Sequence, residues 1–311
     1  MSAVNDTKFN CAVFLLTGIP GQEDIHLWIS TVFCLTYAIS IVGNSLILLI
    51  IKTDLSLHGT MYIFLSMLAI TDLGLLIASM PTILGVFLFS SREISLNASV
   101  AQLFFIQSFT FTESAVLLLM AFDRFIAISN PLKYTSIITL LRIAMIGLVF
   151  VLRGVAVILP LRLLLKRFQF CRANILSHSF CLHMEVMTMA CADITVNNMY
   201  GLFITVLTVV LHSLLIFLSY VMILKTVLSI SSHVEFLRAL NTCVSHLCAV
   251  LLFYMPEFTL TLMHRFRKSS FPLLQIVIGY IYTLVPPLMN PIMYSVKSKH
   301  LHSRIMEVFV K

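Results

Sequence analysis

Residues 27–51 read LWISTVFCLTYAISIVGNSLILLII, a run without a single Asp, Glu, Lys or Arg. A helix that crosses the hydrocarbon core of a bilayer needs roughly 20 mainly apolar residues at about 1.5 Å each, and this run satisfies that length. Six more stretches of the same character follow at 61–87, 100–128, 142–165, 197–228, 237–264 and 273–296, each set off by polar or charged punctuation. The whole chain agrees with them. Of its 311 residues 59% are hydrophobic and 11% charged, and the mean hydropathy is +1.02. A soluble domain could not hide that much apolar surface, so lipid is the solvent.

The expected fold is an all-α membrane protein, a seven-transmembrane helix bundle with a short amphipathic cytoplasmic helix after helix seven. The expected organisation is an extracellular segment 1–26, a bundle 27–296 and a cytoplasmic tail 297–311. Connections are short, which favours antiparallel neighbours, except the long one between the fourth and fifth segments. No internal repeat or low-complexity linker is visible. Nothing before Leu27 has the basic-then-apolar pattern of a cleaved signal peptide, so helix one is expected to direct insertion.

Lys and Arg divide almost evenly between the two sides, so the positive-inside rule barely decides orientation. Two other signals place the N-terminus outside. Asn5-Asp6-Thr7 is a glycosylation sequon that works only on the luminal side, and Cys11, Cys171, Cys181 and Cys191 fall on that same side, where the compartment is oxidising. The formal charge of +7 calls for no nucleic acid, because basic helix ends also meet anionic lipid headgroups.

Ionisable residues inside the membrane are costly and normally face the bundle interior. They are Asp72, Glu113, Asp123, Arg124, Arg153 and Glu257. Asp123-Arg124 at the inner end of helix three can form a local ion pair whose opening frees the cytoplasmic face. In helix seven, Pro291 removes a backbone donor, Asn290 can satisfy freed backbone groups, and Tyr294 lies one turn nearer the cytosol. That is the anatomy of a hinge, although a static kink would look the same.

These residues stand in stretches that together resemble the olfactory receptors: Gly43-Asn44, MYIFL at 61–65, LAITDL at 68–73, MAFDRFIAI at 120–128 with NPLKY at 130–134, Ser219-Tyr220, RALNTCVSH at 238–246, FYMP at 253–256 and PPLMNPIMYSVKSK at 286–299. LTGIPG at 16–21, SFCLH at 179–183 and HRF at 264–266 resemble the class I, fish-like branch. The resemblance implies a rhodopsin-like G-protein-coupled receptor that catalyses no reaction. It would bind a small odorant among helices three, five, six and seven, then couple through Asp123, Arg124, Tyr220, Asn290, Pro291 and Tyr294 to a stimulatory heterotrimeric G protein that raises cyclic AMP. The cell membrane, in olfactory cilia, is the implied location.

The implied ligand site is Gln107, Phe111, Phe203, Tyr254, Phe258, Thr261, Arg265 and Tyr280. Arg265 matches a basic anchor of the branch and suits a carboxylic acid, since its planar fork donates two parallel hydrogen bonds. The resemblance also places Asp72 and Glu113 at facing levels of helices two and three. Two carboxylates in a low-dielectric interior cannot both stay ionised unaided, so either a sodium ion sits between them or they share a proton. No other cofactor is implied. The family's loop disulfide would be Cys171–Cys191. Its second disulfide is lost, because Ser99 replaces the cysteine of helix three and leaves Cys181 without that partner unless Cys11 captures it. The same replacement creates a second sequon, Asn97-Ala98-Ser99, too close to the membrane for glycosylation.

Three other readings fit parts of the sequence. A poorly functional receptor is consistent with Ser99, and a non-olfactory, metabolite-sensing receptor of the same fold is the other alternative. A small transporter would carry midplane carboxylates too, but with paired interrupted helices. A metal site in the long loop could draw on His178, Cys181, His183, Glu185 and Cys191.

Overall fold

The computed structural model of the protein describes residues 13–18, 26–130, 134, 138–170, 175–228, 233–266 and 272–310. Seven helices among them are long and apolar enough to cross a membrane. Helix one is His26–Thr53, helix two Thr60–Leu88, helix three Leu96–Ser129 and helix four Leu140–Arg167. Helix five begins as Thr195–Thr205, passes through a π-helical turn at Val206–Val210 and continues as Leu211–Leu228. Helix six is His233–Phe266, helix seven Pro272–Lys297, and a tail helix spans Lys299–Val310. Several helices outrun their apolar windows because backbone hydrogen bonding continues into polar ends.

Helix one shows how the bundle sorts its residues. Ser30, Phe33, Tyr37, Ser40, Asn44 and Ile47 are buried, while Trp28, Val32, Leu35, Ile39 and Val42 are exposed. Both sets recur at helical spacing, but the polar residues share the inner stripe with Phe33, Tyr37 and Ile47, while the outward-facing set is apolar. In lipid that is the favourable sorting, since apolar side chains lose nothing by facing acyl chains and hydroxyls and amides need partners inside. Tyr37 finds Ser79 of helix two at 2.9 Å. The tail helix is tied to the turn after helix one by Arg304 Nε donating to Asp54 Oδ2 at 2.7 Å. Ser56 hydroxyl and amide, followed by Arg304, hold the Asp54 carboxyl down to about 2.

The extracellular face adds an element that an all-helical expectation omits. Strands β1 (Val13–Leu16), β2 (Glu93–Ser95) and β3 (Ile175–Leu176) form a small sheet in the order β2-β1-β3. β1 is antiparallel to β2, with Phe14 opposite Ile94, and parallel to β3. Phe14 and Leu16 point into the outer core, where Phe14 meets Phe170 edge to face at 5.3 Å between centroids. The sheet thus clamps the long loop over the bundle.

Cys181 of that loop is a free thiol; Cys11, the partner offered by the sequence, lies outside the described residues. Ser99 Oγ donates to its sulfur at 3.0 Å. One turn along helix three, Gln102 Oε1 accepts from the Cys181 backbone amide at 3.0 Å, and its amide nitrogen reaches the Ala78 carbonyl and Thr82. Hydrogen bonds therefore stand where the resemblance implies a covalent tie. Burial pushes the Cys181 thiol up to about 12, which leaves it unreactive. Cys191 is disulfide-bonded; Cys171 and Asn5 lie outside the described residues. Asn97 sits in the first turn of helix three and Ser99 is fully buried.

Ser99→Cys should close a disulfide to Cys181, with a gain of up to about 2–5 kcal/mol, and raise surface expression. Non-reducing peptide mass mapping of the bond to Cys181, alongside surface staining, checks this: a formed bond without any gain in staining would show that the hydrogen bonds already suffice.

Candidate functional site

A cavity of about 160 Å³ opens between helices three, four, five, six and seven beneath the long loop. Against the roughly 300–1,000 Å³ of drug-sized pockets it is small. Helix three contributes Gln107, Thr110, Phe111 and Ser114. The loop contributes His183, Met184 and Met187; helix five Asn197, Gly201, Ile204 and Thr208; helix six Glu257, Leu260 and Thr261; helix seven Tyr282. The π turn of helix five passes beside the cavity, placing both Thr208 and Val209 in its wall.

Of the residues expected in the ligand site, Gln107, Phe111 and Thr261 line this cavity. Tyr254 lies just beneath it, its hydroxyl 2.7 Å from Ser114 Oγ. Phe203 does not reach the cavity. It is 61% exposed, because the face of helix five carrying Asn197, Gly201, Ile204 and Thr208 turns inward and directs Phe203 to lipid. Tyr280 also points elsewhere. It packs with Phe33 and Phe87 and shares a 2.7 Å hydrogen bond with Ser179, while Tyr282, two residues on, forms the wall. Phe258 packs against the lower core, and its neighbour Glu257 faces the cavity. The Arg265 side chain lies outside the described residues. Asn197, His183, Ser114 and Tyr282 were not foreseen; the paired Asn197-Asn198 at the start of an apolar span was their clearest signal.

The roof is held by Arg162, buried and bonded to Gln107 Oε1 and, at 2.9 Å, to His183 Nδ1. Guanidinium only donates, so His183 Nδ1 accepts and Nε2 carries the proton. Burial, then Arg162, lowers the His183 imidazole to about 3, and it stays neutral at physiological pH. Elsewhere in the loop His178 Nδ1 pairs with Glu185 at 2.8 Å. Two candidate ligands of a loop metal site, His178 and Glu185, are therefore paired with each other, and among the described residues no group of three or more His, Cys, Asp or Glu is placed to hold a metal ion. In helix four Arg153 sits over the Phe111 ring, 5.8 Å from its centroid.

Below the cavity, Ser114 joins Tyr254 of helix six to His212 of helix five, whose Nδ1 is 2.9 Å from the hydroxyl. Deeper still, Asn290 Nδ2 donates to both oxygens of Asp72, at 3.1 and 3.3 Å, and to Glu113 Oε1 at 3.4 Å. One amide thus spans both fully buried carboxyls. An all-oxygen donor set of this kind fits a hard cation such as sodium. Pro291 has no N–H, so the Pro287 carbonyl one turn earlier loses its helical partner. Asn44 supplies one, donating at 2.9 Å, and also donates to the Ser40 carbonyl.

At the cytoplasmic end Arg124 pairs with Asp123 at 3.1 Å, and the Tyr134 hydroxyl donates to Asp123 at 2.7 Å. Tyr220 bonds and stacks on His246 of helix six. Tyr294 is buried beside Met120. The ion pair is closed, with the tyrosines packed inside.

The sequence model of the olfactory receptor family matches residues 33–311. The chain belongs to that family. Among its relatives in Homo sapiens, olfactory receptor 51G2 is 56% identical over 305 residues, covering 98% of this chain and 97% of the relative. Olfactory receptor 51G1 is 52% identical over 309 residues, with 99% and 96% covered, and olfactory receptor 51A7 is 52% identical over 306 residues, with 98% and 97% covered. These relatives place the receptor in the class I branch. It is a multi-pass membrane receptor of the G-protein-coupled class, not an enzyme.

Replacing Asn44 tests the hinge. Asn44→Leu leaves a buried carbonyl unmet and should cost about 1–3 kcal/mol, read as a lower thermal midpoint of receptor in nanodiscs. Asn44→Val should cost as much, because it too lacks a donor; a parent-like midpoint in either variant would refute the assignment.

Proposed function

We propose that this olfactory receptor is switched by a small polar odorant held in the cavity. The carrying observation is that the cavity wall is continuous with the polar network beneath it. Ser114 both lines the cavity and bonds Tyr254, the residue of helix six next to the Phe253 wall. Glu257 of the same wall acts electrostatically on Glu113, which shares Asn290 with Asp72. A ligand that fits better when helix six swings outward shifts the bundle by its differential affinity for the two states. Opening of the Asp123–Arg124 end then admits a stimulatory G protein, and cyclic AMP rises. The working location is the plasma membrane, in olfactory cilia. Ligand and G protein would strengthen each other's binding by the same factor.

The Asp72–Glu113 pair serves the resting state in this reading. Sodium, when bound, would supply positive charge between the carboxylates; a shared proton would do the same. Asn290 then reports that state to helix seven through the Pro291 hinge.

A cyclic AMP assay in surface-stained cells, screened with short polar odorants, tests the receptor function. No response from any odorant at good surface levels, with no exchange on an added G protein, would count against it. Glu113→Gln should change basal cyclic AMP and its dependence on sodium and pH at matched surface levels. Parent and variant giving identical basal signals across both titrations would sink the resting-state role.

A further inference from the structure

The buried polar groups that face the cavity without a partner define what it can hold. Asn197, 1% exposed, lines the cavity with neither its amide oxygen nor its amide nitrogen bonded. His183 Nε2, which carries the proton, is likewise buried and unpartnered. Deeper, Glu257 Oε2 is buried and unmet, although Tyr282 hydrogen-bonds the same carboxyl. Tyr282 also lies 3.1 Å from Thr110 Oγ1. Among the described lining residues there is no Lys or Arg. Glu257 stands nine residues before Phe266, roughly 13 Å below the outer end of helix six, whereas Asn197 is within the first turn of helix five. The cavity therefore has an acidic floor and a neutral, hydrogen-bonding rim.

A carboxyl with an unmet oxygen in a wall without a cation is best matched by a ligand that brings positive charge and N–H donors. An anionic ligand would instead be placed against it, and Arg162, behind the rim, is already engaged by Gln107 and His183. Phe111, Ile158 and Leu260 supply the apolar surface between floor and rim.

We infer that the cavity takes a small primary aliphatic amine, its ammonium on Glu257, and that Asn197 and His183 hold a hydrogen-bond acceptor at the ligand's other end. This rests on the cavity being the receptor's ligand site. The Tyr282 hydroxyl, bonded to the same carboxyl, and the Thr110 hydroxyl 3.1 Å from it can turn to accept from the remaining N–H groups. The acceptor at the rim, an ether or carbonyl oxygen, meets the Asn197 amide and the His183 Nε2–H.

The test uses full-length receptor in lipid nanodiscs, with hexylamine, hexanol and hexanoic acid as matched probes and the thermal midpoint as the measure of binding. Hexylamine should raise the midpoint well above the other two. Glu257→Gln should weaken its binding by roughly thirtyfold or more, with partial recovery in Glu257→Asp. A hexylamine bearing a terminal methoxy group should bind the parent more tightly than hexylamine does, and lose that advantage in Asn197→Leu. Equal or tighter binding of hexanoic acid, no binding of hexylamine, or an undiminished amine response in Glu257→Gln overturns the assignment. If the variant does not fold, the parent's ranking of amine over acid decides alone. Nucleotide exchange by a stimulatory G protein on the same sample reads the receptor function separately. Amine binding without exchange would leave the amine site standing and remove the coupling.

Discussion

Within the hydrocarbon core no water is available to a backbone carbonyl that has lost its helical partner, so each proline in a spanning helix must be answered by another part of the protein. Pro291 creates such a carbonyl at Pro287, and Asn44 answers it from helix one. Adjacent Asn290 then reaches across to helices two and three through Asp72 and Glu113. Four helices are held at one level by two amides and a missing N–H. Gly43 lets this happen: a Cβ there would lie 3.2 Å from the Pro291 ring, so helix seven could not approach helix one as closely. The hinge and the packing that supports it are one arrangement.

The outer half of the bundle is held differently. There the long loop folds down over helix three, and the sheet β2-β1-β3 fastens it from above. Phe14, Phe180 and Leu176 are fully buried beneath that sheet, so apolar burial acts together with hydrogen bonding at this face. Ser99 and Gln102 hold Cys181 without a covalent bond. Such contacts can separate more readily than a disulfide would. Arg162 offsets this in part by tying Gln107 of helix three to His183 of the loop.

The helices were legible because the bilayer demands length and apolarity together, and few other structures do. Asp72, Glu113 and Asn290 were legible for a related reason: a polar side chain in that setting must find a partner, and few are available. What periodicity could not give was rotational phase. Tyr280 and Tyr282 are two residues apart, about 200° around a helix, and which of them faces the cavity depends on how helix seven is turned by its prolines. Phe203 was misplaced for the same kind of reason, on a helix whose π turn at Val206–Val210 changes the register of its inner face. β1 is too short for alternation to register, and its partners lie far along the chain at Glu93–Ser95 and Ile175–Leu176.

Glu257, Glu113 and Asp72 lie in sequence from the cavity to the hinge, and neighbouring members interact electrostatically. In a low-dielectric interior such interactions weaken slowly with distance, so charge at one member is felt at the next without any side chain having to move. Ser114, Tyr254 and His212 offer a second route from the same cavity, this time through hydrogen bonds to helices five and six. The two routes differ in what they can sense. With the cavity as the ligand site, the carboxyl series would respond to ligand charge, and the hydroxyl series to ligand shape, since displacement of Ser114 or Tyr254 would disturb it. A ligand that is both the right size and the right charge would bias helix six and helix seven together, whereas a neutral ligand of the same shape would act on helix six alone.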